Sequence, residues 1–308
     1  MKRGQMYKKI RRNWVLYLFA LPALIWLLIF HYWPIYGVVI AFQNYKLGDV
    51  FGSSQWVGFK HFQQFFNSFW FPTIMKNTVV ISLLTFCLGF PLPIILALLL
   101  NEVQNTKFKK TVQTITYAPH FISVVVLCGA LQLFLSPGVG FIGMGVNYVR
   151  ELMGMDPINI LMEGEAFKWI YVLSDIWQST GWGAVVYFAA LSAVDPQQIE
   201  AARIDGALKL QRIIYINFPV LLPTIVIQLI LRCGSLFNIG YEKVYLLQNE
   251  TILSASEVIN TYVYRVGLNG ARFSFGTAVG LFNNMINAAV LILSNWIVRK
   301  IDEDLSLF

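Results

Sequence analysis

The sequence predicts an all-α polytopic membrane protein: one domain over residues 1–308, six transmembrane helices, and both termini on the interior side. Three observations predict it. Of the 308 residues 57% are hydrophobic and 13% charged, too few charges to solvate a soluble domain of this size. The apolar residues gather into six runs, each long enough to supply the ~20 residues that cross a bilayer. Of the 23 Lys and Arg residues, 14 fall in segments assigned to the interior, 8 to the exterior, counting Lys76 and Lys168 at the outer ends of their spans, and 1 inside the fifth span, the bias that orients such chains. The net charge of +7 thus sits at span ends and in short loops, which suits lipid headgroups and argues against nucleic acid. Cys87, Cys128 and Cys233 all fall in apolar runs without metal-like spacing and read as small buried hydrophobes.

Taken in order, the basic start MKRGQMYKKIRRNW precedes an apolar run without a small-residue cleavage site, so this run is expected to remain as an anchor and first span over 15–41. Pro22, His31 and Pro34 interrupt it, and His31 is expected to hydrogen-bond a neighbouring helix. The exterior stretch 43–72 carries Phe62, Phe65, Phe66 and Phe69 at helical spacing, an aromatic face for the outer interface or a receptor. Span 2 covers 74–100, with a kink at Pro91 and Pro93. An interior loop with Lys107, Lys109 and Lys110 leads to span 3 over 112–135, which Ser136-Pro137-Gly138 terminates. After a Gly-rich exterior segment, span 4 covers 167–194 and places Asp175, Gln178 and Trp182 on one stripe. Span 5 covers 218–239 with Gln228, Arg232 and Ser235 along one face. Span 6 covers 274–298 and opens on Gly276-Thr277-Ala278-Val279-Gly280, a small-residue spacing that admits a close neighbour.

Between spans 4 and 5 lies the one long polar segment with helical signals, 195–217. Asp195 is placed to cap a first turn, Pro196 suits the first helical position, and Gln198 completes a capping box. Ala201 and Ala202 keep the helix thin, Glu200 and Asp205 make one side acidic, and Gly206 allows the turn into a second amphipathic run. Such a helix is shaped for close contact with another body.

The order Glu200-Ala201-Ala202, Gly206, Ile216, Pro219 resembles the EAA loop of permease subunits of binding-protein-dependent ABC importers, with Phe218 where that family has Leu. The resemblance extends over nearly the whole chain. The stretches 97–123 and 261–300 are similar to permeases of sugar importers, in the branch that takes up pectin or alginate fragments, with the maltose permease more distant. It implies the type I ABC importer permease fold with a cytoplasmic coupling helix, in the bacterial cytoplasmic membrane. It also implies one half of a heterodimeric pore, joined by a second permease subunit, two ATP-binding subunits and an extracellular solute-binding protein. Glu200, Ala201, Ala202, Asp205 and Gly206 would then meet the ATPase.

The chain has no phosphate-cradling G-x-x-x-x-G-K-[ST] loop, so ATP and Mg are expected on the partner, and this chain is expected to bind no cofactor or metal and to be no enzyme itself. For an oligosaccharide path the candidates are Asp175, Gln178, Trp182, Gln228, Arg232, Asn238, Tyr241, Asn283 and Asn287. Asp175 and Arg232 lie at similar depth; they either pair, with each other or with the second permease, or Arg232 meets the carboxylate of an acidic sugar, which its planar fork suits. Asn283 and Asn287 suit sugar hydroxyls and interhelical bonds equally. An ion-coupled secondary transporter is the rival class, but Asp175 is the one clear mid-span acid that such a machine would have.

Overall fold

The computed structural model describes residues 12–50 and 52–307, so most of the basic start expected in the interior lies outside the described residues. Among them the only strand-like contact is an isolated bridge between Gln43 and Trp56; the rest is helix and connecting turn. We number the main helices α1 (Trp14–Phe42), α2 (Lys60–Phe66), α3 (Phe71–Asn101), α4 (Thr106–Phe121), α5 (Val124–Leu135), α6 (Phe141–Leu152), α7 (Gly164–Leu191), α8 (Pro196–Ile204), α9 (Lys209–Cys233), α10 (Tyr241–Leu247) and α11 (Phe273–Ile301). Four of these, α1, α3, α9 and α11, are long and apolar enough to cross a membrane, and α4 with α5 makes a fifth if the bent pair is one span. The 28-residue α7 is as long as the others but more polar, and it forms the centre of the bundle.

Helices in lipid gain little from hiding apolar surface, because the tails are equally apolar; close van der Waals fit and internal hydrogen bonds hold them. The glycines show this. A Cβ on Gly181 of α7 would stand 1.9 Å from the Thr116 carbonyl of α4, and one on Gly276 of α11 would stand 2.8 Å from the Cα of Gly267. The spacing at the head of the sixth span thus admits a neighbour, as its residues predict. Toward α8, Ala97 and Leu98 of α3 pack on Ala184, Tyr187 and Leu191 of α7 and on Leu221 of α9. Toward the opposite end, Ile81, Tyr171, Val172, Val244 and Val258 form a second core.

Five local expectations are corrected. The third span is not continuous: α4 and α5 meet at 97°, because Pro119 initiates a 3-10 turn and Ser123 begins a new helix by accepting from the Val126 N–H. Span 5 runs from Lys209 to Cys233 instead of 218–239; Gln211 caps the Leu208 N–H at 2.7 Å, and π-type bonding over Ile213–Asn217 absorbs the donor missing at Pro219. Phe62 and Phe65 of α2 do not face the membrane interface but are buried, Phe65 against Phe71, Tyr262, Phe275 and Phe282, while Phe66 and Phe69 stay exposed. Asp195 accepts from the Gln197 N–H at 2.9 Å, one residue earlier than a capping box would have it, and Gln198 bonds through its backbone N–H to the Asp195 carbonyl. His31 packs against Trp26 of its own helix, with ring centroids 4.8 Å apart and planes 51° apart, and has no hydrogen bond to another helix among the described residues. Indeed α1 has no buried residue until Ala41, where it docks on Phe62 and Ala278.

The turn from α8 into α9 is pinned to the end of α3. Arg212 reaches Glu102 at 2.6 Å, and each side chain is 8% exposed. The second guanidinium arm donates to the Ala207 carbonyl at 2.7 Å, and Asn217 donates to the other Glu102 oxygen at 3.1 Å.

Candidate functional site

Near the middle of α7 a cavity of about 480 Å3 opens between α3, α5, α7, the end of α9 and α10. Asp175, Gln178, Arg232, Asn238 and Tyr241, five of the nine path residues expected from sequence, line it together. Gln178 also donates to the Ile122 carbonyl at 2.8 Å, so the same side chain that faces the cavity satisfies the backbone laid bare where α4 breaks from α5.

Asp175 and Arg232 do not form an ion pair. The partner of Asp175 is Lys243, at 3.5 Å, a residue of α10 that sequence reasoning assigned to an exterior segment. Lys243 is 4% exposed, and its ammonium lies 5.1 Å from the centre of the Tyr171 ring. Burial pushes this ammonium below its ordinary pKa, and the Asp175 carboxylate acts against that shift. Tyr171 in turn accepts from the Gly240 N–H at 3.2 Å, which fixes the turn carrying α10. Arg232 is exposed to the cavity and forms no ion pair among the described residues. At the rim, the Tyr241 ring packs at a tilt against Tyr264, centroids 4.8 Å apart, and Tyr245, 5.7 Å apart.

The other four candidates lie off the lining. Trp182 is half exposed and stacks flat on His120, centroids 4.8 Å apart and 2° from parallel. Gln228 is half-buried on α9 one turn before Arg232. Asn283 donates to Asn238 at 3.2 Å, and Asn287 accepts from the Phe237 N–H at 2.9 Å; both are buried on α11 and hold the segment that shapes the cavity. Lys243, Glu242, Ser82 and Thr85 are lining residues that the sequence reading missed. The available signal for Lys243 was a lone cation in YEKVYLL, whose Val244 and Leu247 mark a buried face.

The second site is α8. Ile199 leans on the α7–α9 core, while Glu200, Ala201, Asp205 and Gly206 are exposed and Ala202 is half-buried. Gly206 has φ +79°, a left-handed conformation that favours glycine. The Ala207 N–H returns to the Ala202 carbonyl at 2.8 Å and the Gly206 N–H to Arg203 at 3.1 Å, the double closure of a Schellman turn. Beside it Ile204 is 86% exposed and Leu208 70%, an apolar edge next to acidic groups.

Residues 89–305 match the family described as binding-protein-dependent transport system inner membrane component. The chain is 41% identical over 305 residues, 98% of its length and 93% of the relative's, to the polygalacturonan/rhamnogalacturonan transport system permease protein YteP of Bacillus subtilis (strain 168). It is 38% identical to protein LplB of the same organism, over 96% of this chain and 92% of that one. Among solved structures it superposes with a TM-score of 0.85, at 39% identity and over 97% of this chain and 99% of the other, on a chain of a bacterial ABC transporter involved in the import of the acidic polysaccharide alginate. A second structure of the alginate transporter, in complex with an alginate pentasaccharide-bound periplasmic protein, matches with the same TM-score.

Proposed function

The chain belongs to the family of binding-protein-dependent transport system inner membrane components, and from that premise we propose that it is one permease of a bacterial ABC importer for an acidic oligosaccharide. It forms half of the pore in the cytoplasmic membrane. A second permease supplies the other half, an extracellular binding protein delivers the sugar, and two ATPase subunits, with ATP and Mg, supply the energy.

The observation that carries the substrate class is Arg232, an ionic side chain facing a cavity at membrane depth and forming no ion pair among the described residues, although Asp175 and Glu242 line the same cavity. A charge at membrane depth faces a partner or a wet cavity; here the guanidinium fork is left open to the cavity, and a uronate carboxylate matches it. The relatives named for polygalacturonan and alginate handle sugars with that group. Tyr241, Tyr245 and Tyr264 offer π faces at the rim for the less polar side of a pyranose.

In this reading six helical spans, the α4–α5 pair counted as one, leave both termini and α8 in the cytoplasm. α8 lies in a groove of the ATPase; Glu200 pairs with a basic residue there, and Ala201 and Ala202 permit the approach. Closure of the ATPases pushes α8 and rocks the bundle between inward- and outward-facing states.

The test is uptake by the assembled transporter. Trigalacturonate import is expected to fall about tenfold in Arg232→Gln while import of any neutral oligosaccharide is unchanged; equal effects on both remove the acidic-sugar assignment. Uptake that survives ATP depletion but fails with an uncoupler removes the ABC assignment.

A further inference from the structure

The geometry points to Glu102, Arg212 and Asn217 as positioning residues that couple α8 to the far wall of the pore. This inference rests on the proposed function and adds a transmission route to it. If α8 drove α9 alone, through the chain that joins them, no contact from α3 would be needed at this turn. Three are present. Glu102 lies just beyond the end of α3, and through Arg212 it is tied to the Ala207 carbonyl, the last residue of the Schellman turn that closes α8. Its second oxygen takes the Asn217 amide, inside the π-bonded stretch that precedes Pro219. One carboxylate therefore clamps the two sides of the loop, 110 and 115 residues away in sequence.

The clamp lies where force has to divide. On one side α9 leads up to Arg232 and the cavity; on the other, α3 packs through Ala97 and Leu98 on α7, and its outer half carries Ser82 and Thr85 into the same cavity. A push on α8 relayed only by the peptide chain would rotate α9 against α3. Relayed through Glu102, it moves both helices as one wall. The construction is poor as a device for stability alone, because two buried charges lose hydration that their attraction barely restores, and the Arg212 Nε and Asn217 Oδ1 atoms are buried without hydrogen-bond partners among the described residues. What such a pair does well is fix relative position. One guanidinium arm on the Glu102 carboxylate and the other on the Ala207 carbonyl restrict direction as well as distance.

The experiment uses the complete transporter, purified with its ATPase subunits and reconstituted in lipid. A single cysteine is placed at Ser235, in the cavity lining, after Cys87, Cys128 and Cys233 are replaced. Maleimide labelling is followed from the outer side with and without ATP and vanadate. In the otherwise unsubstituted complex, nucleotide trapping is expected to change the labelling rate. In Glu102→Gln the ATPase subunits remain bound and hydrolysis stays within about twofold, but the trapping-induced change in labelling falls at least fivefold. Asn217→Ala, which keeps the ion pair, shows the same split to a smaller degree, and it serves as the readout if Glu102→Gln is not recovered from the membrane. Lys209→Ala, an exposed residue beside the clamp, leaves both quantities unchanged. Labelling that still switches fully in both clamp variants overturns the inference, as does labelling and hydrolysis that decline in equal proportion, the mark of a merely structural role. If the unsubstituted chain recruits no ATPase, the permease assignment itself fails, a result read before any variant is made.

Discussion

The molecule holds two ionic clusters built on opposite plans. In the cavity, Asp175 and Lys243 stand 3.5 Å apart with Asp175 still 28% exposed, and Arg232 waits unpaired beside them. At the root of α8, Glu102 and Arg212 meet at 2.6 Å with 8% of each side chain exposed and every arm but one engaged. In the loose cluster Asp175 keeps its water and Arg232 has no ion-pair partner, so under the proposed function charge stays available to a passing anion. The tight cluster does the reverse: opening it strands a charge in a dry place, so the helices it joins travel together. Similar residue types are thus packed in two ways that differ in distance and water access; under the proposed function the open arrangement suits binding and the closed one transmission.

The strongest way to break this contrast is Arg212→Ala, which leaves the Glu102 carboxylate buried without its partner and is expected to cost about 3–5 kcal/mol, read as the loss of unfolding free energy in detergent. If it costs no more than truncation of Lys243, the two clusters do not differ in kind. Next in size is Arg232→Gln. Loss of one charge-assisted contact to a uronate, about 1.5–3 kcal/mol, lowers trigalacturonate uptake roughly tenfold or more while unfolding stays within about 0.5 kcal/mol of the parent. Gly206→Ala follows. Its added Cβ meets no atom within 4 Å, so the cost is the left-handed backbone alone, about 1–2 kcal/mol. Because the turn places the Ala207 carbonyl on Arg212, co-purification of the ATPase is expected to weaken with it. The smallest stability effect belongs to Lys243→Ala, about 1 kcal/mol or less, because loss of its buried stem is offset by release of an ammonium buried without a hydrogen-bond partner, and Asp175 keeps its water; a drop as large as that of Arg212→Ala shows the cavity pair to be a fixed strut.

How far the sequence announced these features follows from the range of the forces that make them. α8 was legible because its signals are local: Asp195 as cap, Pro196 at the first position and Gly206 at the left-handed close all act within one or two turns. The apolar runs of α1, α3, α9 and α11 announced themselves by composition. The break between α4 and α5 was legible in principle from Pro119 and Ser123, but a hydropathic run masked it. Lys243 was not, because nothing within ten residues says that α10 folds back to meet Asp175, 68 positions earlier. The pairing of Glu102 with Arg212, 110 residues apart, is likewise a product of tertiary packing. The aromatic face of α2 misled for a related reason: helical spacing of Phe residues reports that a side is covered, and it cannot say whether lipid or α11 covers it.

The bend at Ile122 also limits how the bilayer is sealed. α5 has 12 residues, about 18 Å of rise, against roughly 30 Å of hydrocarbon. With Val124 and Gln178 both on the cavity lining, the notch lies at the cavity's edge. α5 alone is therefore shorter than the insulating slab, and the carbonyl laid bare at the break, that of Ile122, is taken by Gln178 from inside the protein, so the discontinuity needs no lipid-facing polar group.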